Sequence, residues 1–166
     1  MTTTPVNWGV IGPGKIAEKF ARDIRLVPKA ALVSVASSDP KRAISFAERC
    51  KVPKAAESYF QILNDPEIDA VYIATIHPTH YNIAKDALIA GKHVLIEKPM
   101  TVNAAQAKAL VSLSRTRGLF LMEAMWTAFL PVYPISYAHM ILGSDFSGVS
   151  SVMNITMEWT KGLRFV

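Results

Sequence analysis

A single cysteine, Cys50, stands in the whole 166-residue chain, which excludes an internal disulfide and any metal site built on several thiolates. Cys50 ends the helix-compatible stretch Lys41–Cys50 and reads as structural. Charged residues are scarce, at 19% against 51% hydrophobic. That balance excludes a largely disordered chain and allows one good core plus at most a fragment of a second domain. No apolar run approaches a membrane span, and Met1-Thr2-Thr3-Thr4-Pro5 lacks the basic and apolar parts of an export signal. The expected location is the cytoplasm, with no membrane partner. Also missing is a basic stripe with interleaved aromatics: the net charge of +5 is spread along the chain. No nucleic-acid partner is expected, although a mildly basic surface suits an anionic small molecule. There is no internal repeat and no low-complexity segment.

What the chain does have is rhythm. Strand patterns at Val6–Ile11, Ala31–Ser37, Ala70–Ala74 and His93–Ile96, with a weaker one at Leu119–Met122, alternate with helical patterns. The helices are expected at Ile16–Leu26, Lys41–Cys50, Tyr81–Ala90 and Ala104–Arg117. The strands are short, continuous runs of Val, Ile and Ala, as expected where helices cover both faces of a sheet. The alternation predicts an α/β fold with a doubly wound parallel sheet. Asp39-Pro40 reads as a helix cap followed by a first-turn proline. Asn103 or Thr101 is placed to cap the helix after Pro99, and Gly91 and Gly118 close helices.

After Pro131 the pattern changes. Tyr133–Leu142 suggests a helix, Gly143–Gly148 a loop, and Val149–Trp159 an imperfectly alternating strand of an antiparallel sheet with one wet face. A lone strand of this kind makes no domain. The division expected is a nucleotide-binding domain over 1–125 and, over 126–166, the start of an incomplete second domain. Apolar faces around Trp159 and Phe165 then favour self-association, so a homo-oligomer is expected.

The first strand runs into Gly12-Pro13-Gly14-Lys15-Ile16-Ala17, a G-x-G-x-x-A turn that opens a helix. Gly12 permits the tight turn, Gly14 lets a pyrophosphate approach the backbone, and Ala17 keeps the helix close to the sheet. The helix N-terminus offers free N–H groups to phosphates. Three further groups fall at strand ends, where ligands of open parallel sheets sit: Ser37-Ser38-Asp39, Thr75-Ile76-His77-Pro78-Thr79-His80, and Glu97-Lys98-Pro99.

The position that holds the ribose 2′-OH of NAD with a carboxylate reads Ser37 here, with Lys41 and Arg42 just downstream. Asp39 suits a helix cap better. Hydroxyls and Arg42 would accept a 2′-phosphate that a carboxylate repels, so NADP is favoured over NAD. Pro99 keeps Lys98 extended or sharply turned, where an ammonium would polarise a substrate oxygen or ease proton transfer. The other reading of Lys98 is a surface lysine on a loop. His77 and His80 lack cysteine or carboxylate partners, so no metal is expected. They would line the cofactor cleft or cap the helix from Tyr81.

Together these residues resemble the Gfo/Idh/MocA oxidoreductases: the glycine turn, the run Tyr72–His80, and above all Gly91-Lys92-His93-Val94-Leu95-Ile96-Glu97-Lys98-Pro99-Met100. Gly118–Thr127, with Met122-Glu123-Ala124-Met125-Trp126 at its centre, is most similar to the dimeric dihydrodiol dehydrogenase (D-xylose 1-dehydrogenase) branch. The resemblance implies an N-terminal Rossmann domain that binds NAD(P) and a C-terminal α/β domain that supplies much of the pocket for a small-molecule substrate. It implies hydride transfer between nicotinamide and a carbinol of a sugar or trans-dihydrodiol. Gly12, Gly14, Lys15 and Ile16 would meet the pyrophosphate, and Ser37, Ser38 and Arg42 the adenosine ribose. Thr75, Ile76, His77 and His80 would line the cleft, with Glu97 and Lys98 near the nicotinamide ribose, Lys98 next to the reacting carbon, and Trp126 near the amide. The family's second-domain acid–base residue would lie beyond Val166. The alternative is a non-catalytic NAD(P)-binding sensor or interaction module.

Overall fold

The computed structural model describes residues 5–125, all but the last of which fall in the compact unit Thr4–Ala124. The expected helix, loop and strand beyond Pro131 lie outside the described residues, as does Trp126. Six strands, β1 (Val6–Ile11), β2 (Ala30–Ala36), β3 (Lys54–Ala56), β4 (Ala70–Ile73), β5 (His93–Ile96) and β6 (Leu121–Glu123), form one sheet in the order β3-β2-β1-β4-β5-β6. Every pair is parallel. Strand order reverses between β1 and β4, so the crevice at their carboxyl ends is the topological switch point where ligands of such sheets bind.

Parallel strands with both faces covered need apolar side chains pointing both ways. Val10 and Ile11, neighbours on β1, are 0% and 2% exposed and enter different cores. One core packs α1 (Lys15–Asp23) and α2 (Pro40–Cys50) through Ala17, Ala21 and Phe46 against Val10, Val35 and Tyr72. The other packs α3 (Tyr59–Asn64), α4 (His77–Ile89) and α5 (Ala104–Thr116) through Ile62, Ala84, Leu88 and Leu110 against Ile11, Val71, Ile73 and Ile96. Side chains from α3 reach so close to β1 that a Cβ on Gly9 would lie 2.6 Å from Ile62 Cγ2.

The caps fall where the sequence puts them. The Asp39 carboxylate accepts from Lys41 N at 3.0 Å, and the Asn103 side chain accepts from Gln106 N at 2.9 Å. Gly91 and Gly118 take φ of +80° and +64° just past α4 and α5, the left-handed closure that glycine favours.

Beyond shifts of one or two residues at strand ends, as at β6, expected at Leu119–Met122 and found at Leu121–Glu123, three features depart from expectation. First, β3 and α3 occupy a stretch whose sequence gave no strand or helix pattern. Second, α1 stops at Asp23 and finishes as a 3-10 turn, Ile24–Leu26. Third, α4 begins at His77 rather than Tyr81, because Pro78 occupies its first turn, where a missing N–H costs nothing. His77 and His80 are therefore helical, not loop, residues. Among the described residues no helix is long and apolar enough to cross a membrane.

Candidate cofactor site at the carboxyl edge of the sheet

The glycine turn is built for close approach from two sides. Gly12 has φ +97°, and a Cβ there would stand 2.7 Å from the Ala74 carbonyl oxygen, so the turn presses on the end of β4. Its N–H donates to the Ala36 carbonyl of β2 at 2.9 Å. Gly14 differs: it is extended (φ −98°, ψ −179°) and caps α1 without a side-chain hydrogen bond. A Cβ added at Gly14 would meet nothing within 4 Å. Among the described residues no atom demands a glycine there. The open ground lies at an uncapped helix N-terminus, whose first backbone N–H to reach back is that of Glu18, to Gly14 O at 3.1 Å. Lys15 and Ile16 precede it with exposed side chains, and their amides lie in the first turn, where helices bind anions.

Beside this turn Pro13, Lys41, Arg42, Ser45 and Arg49 line a cavity of about 300 Å³. Arg42, Ser45 and Arg49 share one face of α2 by their spacing of three and four residues. Arg49 is tied within that face, donating to Ser45 Oγ and pairing with Glu18 at 2.7 Å. Ser37 is buried at 8% exposure, and its Oγ accepts from Asp39 N at 3.2 Å, while Ser38 is exposed. The Asp39 carboxylate, at the end of β2, caps α2 through Oδ1. Lys41 stands beside Arg42 as the sequence has it, whereas Ser45 and Arg49 were not singled out as site residues. The helical spacing from Arg42 was the signal available.

At the other end of the crevice, the strand-end groups of β4 and β5 meet. Thr75 is half-buried and its hydroxyl accepts from Thr79 Oγ1 at 2.8 Å. Ile76 is 71% exposed, a large apolar side chain left bare beside the turn. His77 is exposed and its ring stands 5.6 Å from that of His80. His80 does not face the crevice as expected. It is 0% exposed, with Nδ1 2.9 Å from the Pro99 carbonyl and Nε2 3.1 Å from the Thr75 carbonyl. It ties the two strand-end loops together from beneath them.

The turn after β5 is held at every residue. Glu97 N donates to Ile73 O at 2.8 Å, the Glu97 carboxylate accepts from Tyr72 Oη at 2.6 Å, and Met100 N donates to Glu123 Oε1 at 2.7 Å. The Lys98–Pro99 peptide is cis. Lys98 itself is exposed, and among the described residues its ammonium makes no ion pair. Tyr72 is buried in the α1 and α2 core, stacked on Phe20 with ring centroids 4.2 Å apart. Burial, reinforced by the Glu97 carboxylate, raises its hydroxyl pKa far above the ordinary tyrosine range, so it stays a donor. Neither Tyr72 nor Glu123 was recognisable as part of this site from residue type alone. Among the described residues no three His, Cys, Asp or Glu side chains are grouped to hold a metal ion.

The family model of the Gfo/Idh/MocA group, described as an oxidoreductase family with an NAD-binding Rossmann fold, matches residues 6–125. Over 128 residues the chain is 44% identical to the pig trans-1,2-dihydrobenzene-1,2-diol dehydrogenase, covering 76% of this chain and 38% of that protein. The human enzyme of the same name is 41% identical over 76% of this chain and 38% of its own length. Among solved structures, a 3-ketoreductase from Actinomadura kijaniata in complex with NADP and TDP-benzene aligns with a TM-score of 0.76 at 33% identity. That alignment covers 84% of this chain and 43% of the reductase. A Synechocystis biliverdin reductase bound to biliverdin and NADP+ aligns at 0.68 and 38% identity, over 72% of this chain and 38% of that one. The chain thus spans less than half the length of the relatives it matches.

Proposed function

The chain belongs to the Gfo/Idh/MocA oxidoreductase family, and on that premise we propose that it binds NADP in preference to NAD, as the cofactor-holding part of a dehydrogenase. The substrate we assign is a carbinol of a sugar or a trans-dihydrodiol, the second after the named activity of the pig and human relatives. Residues 126–166 would begin the domain that carries most of the substrate pocket.

The observation that carries the cofactor reading is the open space over Gly14 at an uncapped helix N-terminus. A pyrophosphate fits where a side chain would otherwise project, with the amides of Lys15 and Ile16 and the dipole of α1 as its partners; the Gly14 N–H is turned back to the Gly12 carbonyl at 3.0 Å. The preference for NADP rests on charge. Among the described residues the cavity beside the turn offers Lys41 and Arg42 and has no carboxylate in its lining; Arg49 is already paired with Glu18, and Asp39 caps α2. A 2′-phosphate gains charge-assisted hydrogen bonds there, whereas a bare ribose leaves the guanidinium of Arg42 unused. Ser37 and Ser38 would contribute hydroxyls at the same end.

When bound, the nicotinamide supplies the carbon that takes or gives the hydride. The chain's own work is to orient and to move a proton. Lys98 extends an ammonium that makes no ion pair among the described residues, from a turn whose backbone is pinned on both sides. Its Nζ would donate to the substrate hydroxyl oxygen and so weaken that oxygen's hold on its proton. Ile76 and His77 would cover the crevice and exclude water from it.

Fluorescence titration of the purified chain with NADPH and with NADH tests the cofactor assignment. Tighter binding of NADPH is expected. Equal or tighter binding of NADH overturns the NADP reading, and binding of neither overturns the dinucleotide reading.

A further inference from the structure

The Lys98 turn is anchored by backbone contacts, and only one reaches Lys98 itself. Pro99 O is held by His80, Met100 N by Glu123, and Glu97 N by Ile73. The Lys98 N–H has the neighbouring Glu97 carboxylate, whose Oε2 accepts it at 3.2 Å. A glutamate side chain at a strand end is a poor fixed point, since its own rotamers are free unless something holds them. Here something does. Oε1 of the same carboxylate accepts from the Tyr72 hydroxyl at 2.6 Å, a short, charge-assisted bond.

The geometry of β4 and β5 explains why Tyr72 reaches it. Tyr72 pairs with Leu95 across the parallel ladder, so Glu97, two residues on, lies on the same face of the sheet. The tyrosine cannot drift: it is 2% exposed, and its ring is stacked on Phe20, which meets Trp8 edge-on at 5.6 Å. The anchor is therefore a rigid aromatic group in the core, and the free end is a surface lysine.

We propose that Tyr72 is a positioning residue for Lys98, acting through the Glu97 carboxylate to fix the backbone from which the Lys98 ammonium projects. The inference rests on the reading of Lys98 as the group that meets the substrate oxygen, but the anchoring it describes is measurable without any substrate. The chemistry recognises no ligand of its own. It sets how sharply Lys98 is aimed.

Tyr72→Phe removes one oxygen and keeps the ring and its stack. Amide hydrogen exchange read residue by residue in this variant should show the Lys98 N–H exchanging about tenfold faster, as expected when a bond to a charged acceptor loses its support. The Val94 and Ile96 amides of β5 should be unchanged. In the full-length protein, turnover of trans-1,2-dihydrobenzene-1,2-diol with NADP+ should fall in kcat by a similar factor, with a smaller change in NADPH affinity. Unchanged exchange at Lys98 overturns the proposal. So does faster exchange along the whole of β5, which would make Tyr72 a packing residue only. Lys98→Met separates the two readings. If that variant turns over normally, Lys98 is not in the mechanism and a Tyr72 role in catalysis falls with it. If it is inactive while Tyr72→Phe leaves kcat intact, this inference alone fails.

Discussion

Replacing Gly14 by valine should abolish cofactor binding and leave the fold standing. Gly14 has extended backbone angles that any residue adopts, and a Cβ placed there finds no atom of the described residues within 4 Å. The stability cost is then confined to exchanging a tolerated helix-cap residue for a poor one, up to about 1 kcal/mol. For a unit of this size that is a fall of roughly 3–6 °C in the melting midpoint. The binding cost is larger, because the side chain occupies the ground over the α1 amides. Loss of at least about 100-fold in affinity, or roughly 2.8 kcal/mol, is expected. Gly12→Ala gives the opposite pattern. There φ is +97° and the new methyl would sit 2.7 Å from the Ala74 carbonyl oxygen, so the fold itself should lose about 2 kcal/mol or more. Thermal melts and NADPH fluorescence titrations of both variants make the comparison. A Gly14→Val protein that binds NADPH normally would refute the pyrophosphate reading, and one that fails to fold would refute the claim that the space is empty.

Arg42→Ala should weaken NADPH by about tenfold, the worth of one charge-assisted contact, and leave NADH unaffected; a parallel loss for both cofactors would place Arg42 elsewhere than at the 2′-phosphate. Lys98→Met in the full-length protein should lower turnover about 100-fold, the usual contribution of a positioned proton-transfer group, with NADPH affinity little changed in equilibrium titration. The fold should lose stability on acidification below about pH 6.5, and His93 is one cause. Burial lowers its pKa, against a smaller opposing effect of Asp69, and its Nδ1 accepts from Phe120 N at 3.0 Å. The folded His93 therefore resists a proton that the unfolded chain takes up, so stability is present above the unfolded value and falls as pH drops from there toward the folded one. Urea unfolding of His93→Asn, which keeps an acceptor but cannot titrate, should show a shallower loss over that interval; an identical slope would clear His93 of the effect.

The parts of the fold legible in the sequence are those fixed by local chemistry. Val6–Ile11 and His93–Ile96 are strands from first to last residue as their apolar runs require, and Asp39-Pro40 starts α2 because a carboxylate cap and a first-turn proline act within four residues. Lys54–Ala56 escaped because three residues with no β-branched side chain carry no period, and they form a strand only because β2 offers an edge. The first turn of α4 escaped because a proline between two histidines reads equally as a loop. In the site, the glycine turn and the Lys98 turn were visible as motifs. What held them was not: Tyr72 lies 25 residues from Glu97 and His80 lies 19 from Pro99, and only folding shows that a buried ring ends at a carboxylate or a carbonyl.

The brevity of β3 bears on how copies of this protein would meet. At that border of the sheet the outermost strand is three residues long and opens on Lys54, whose ammonium is drawn to Asp65 at 3.2 Å and Glu67 at 2.7 Å. A second sheet approaching from that side would find too few unpaired amides to extend the ladder and a solvated cluster of charge at its entrance. Sheet-to-sheet growth, the route by which exposed strands seed fibres, is disfavoured along this edge. An assembly built by strand pairing has to be sought away from this edge.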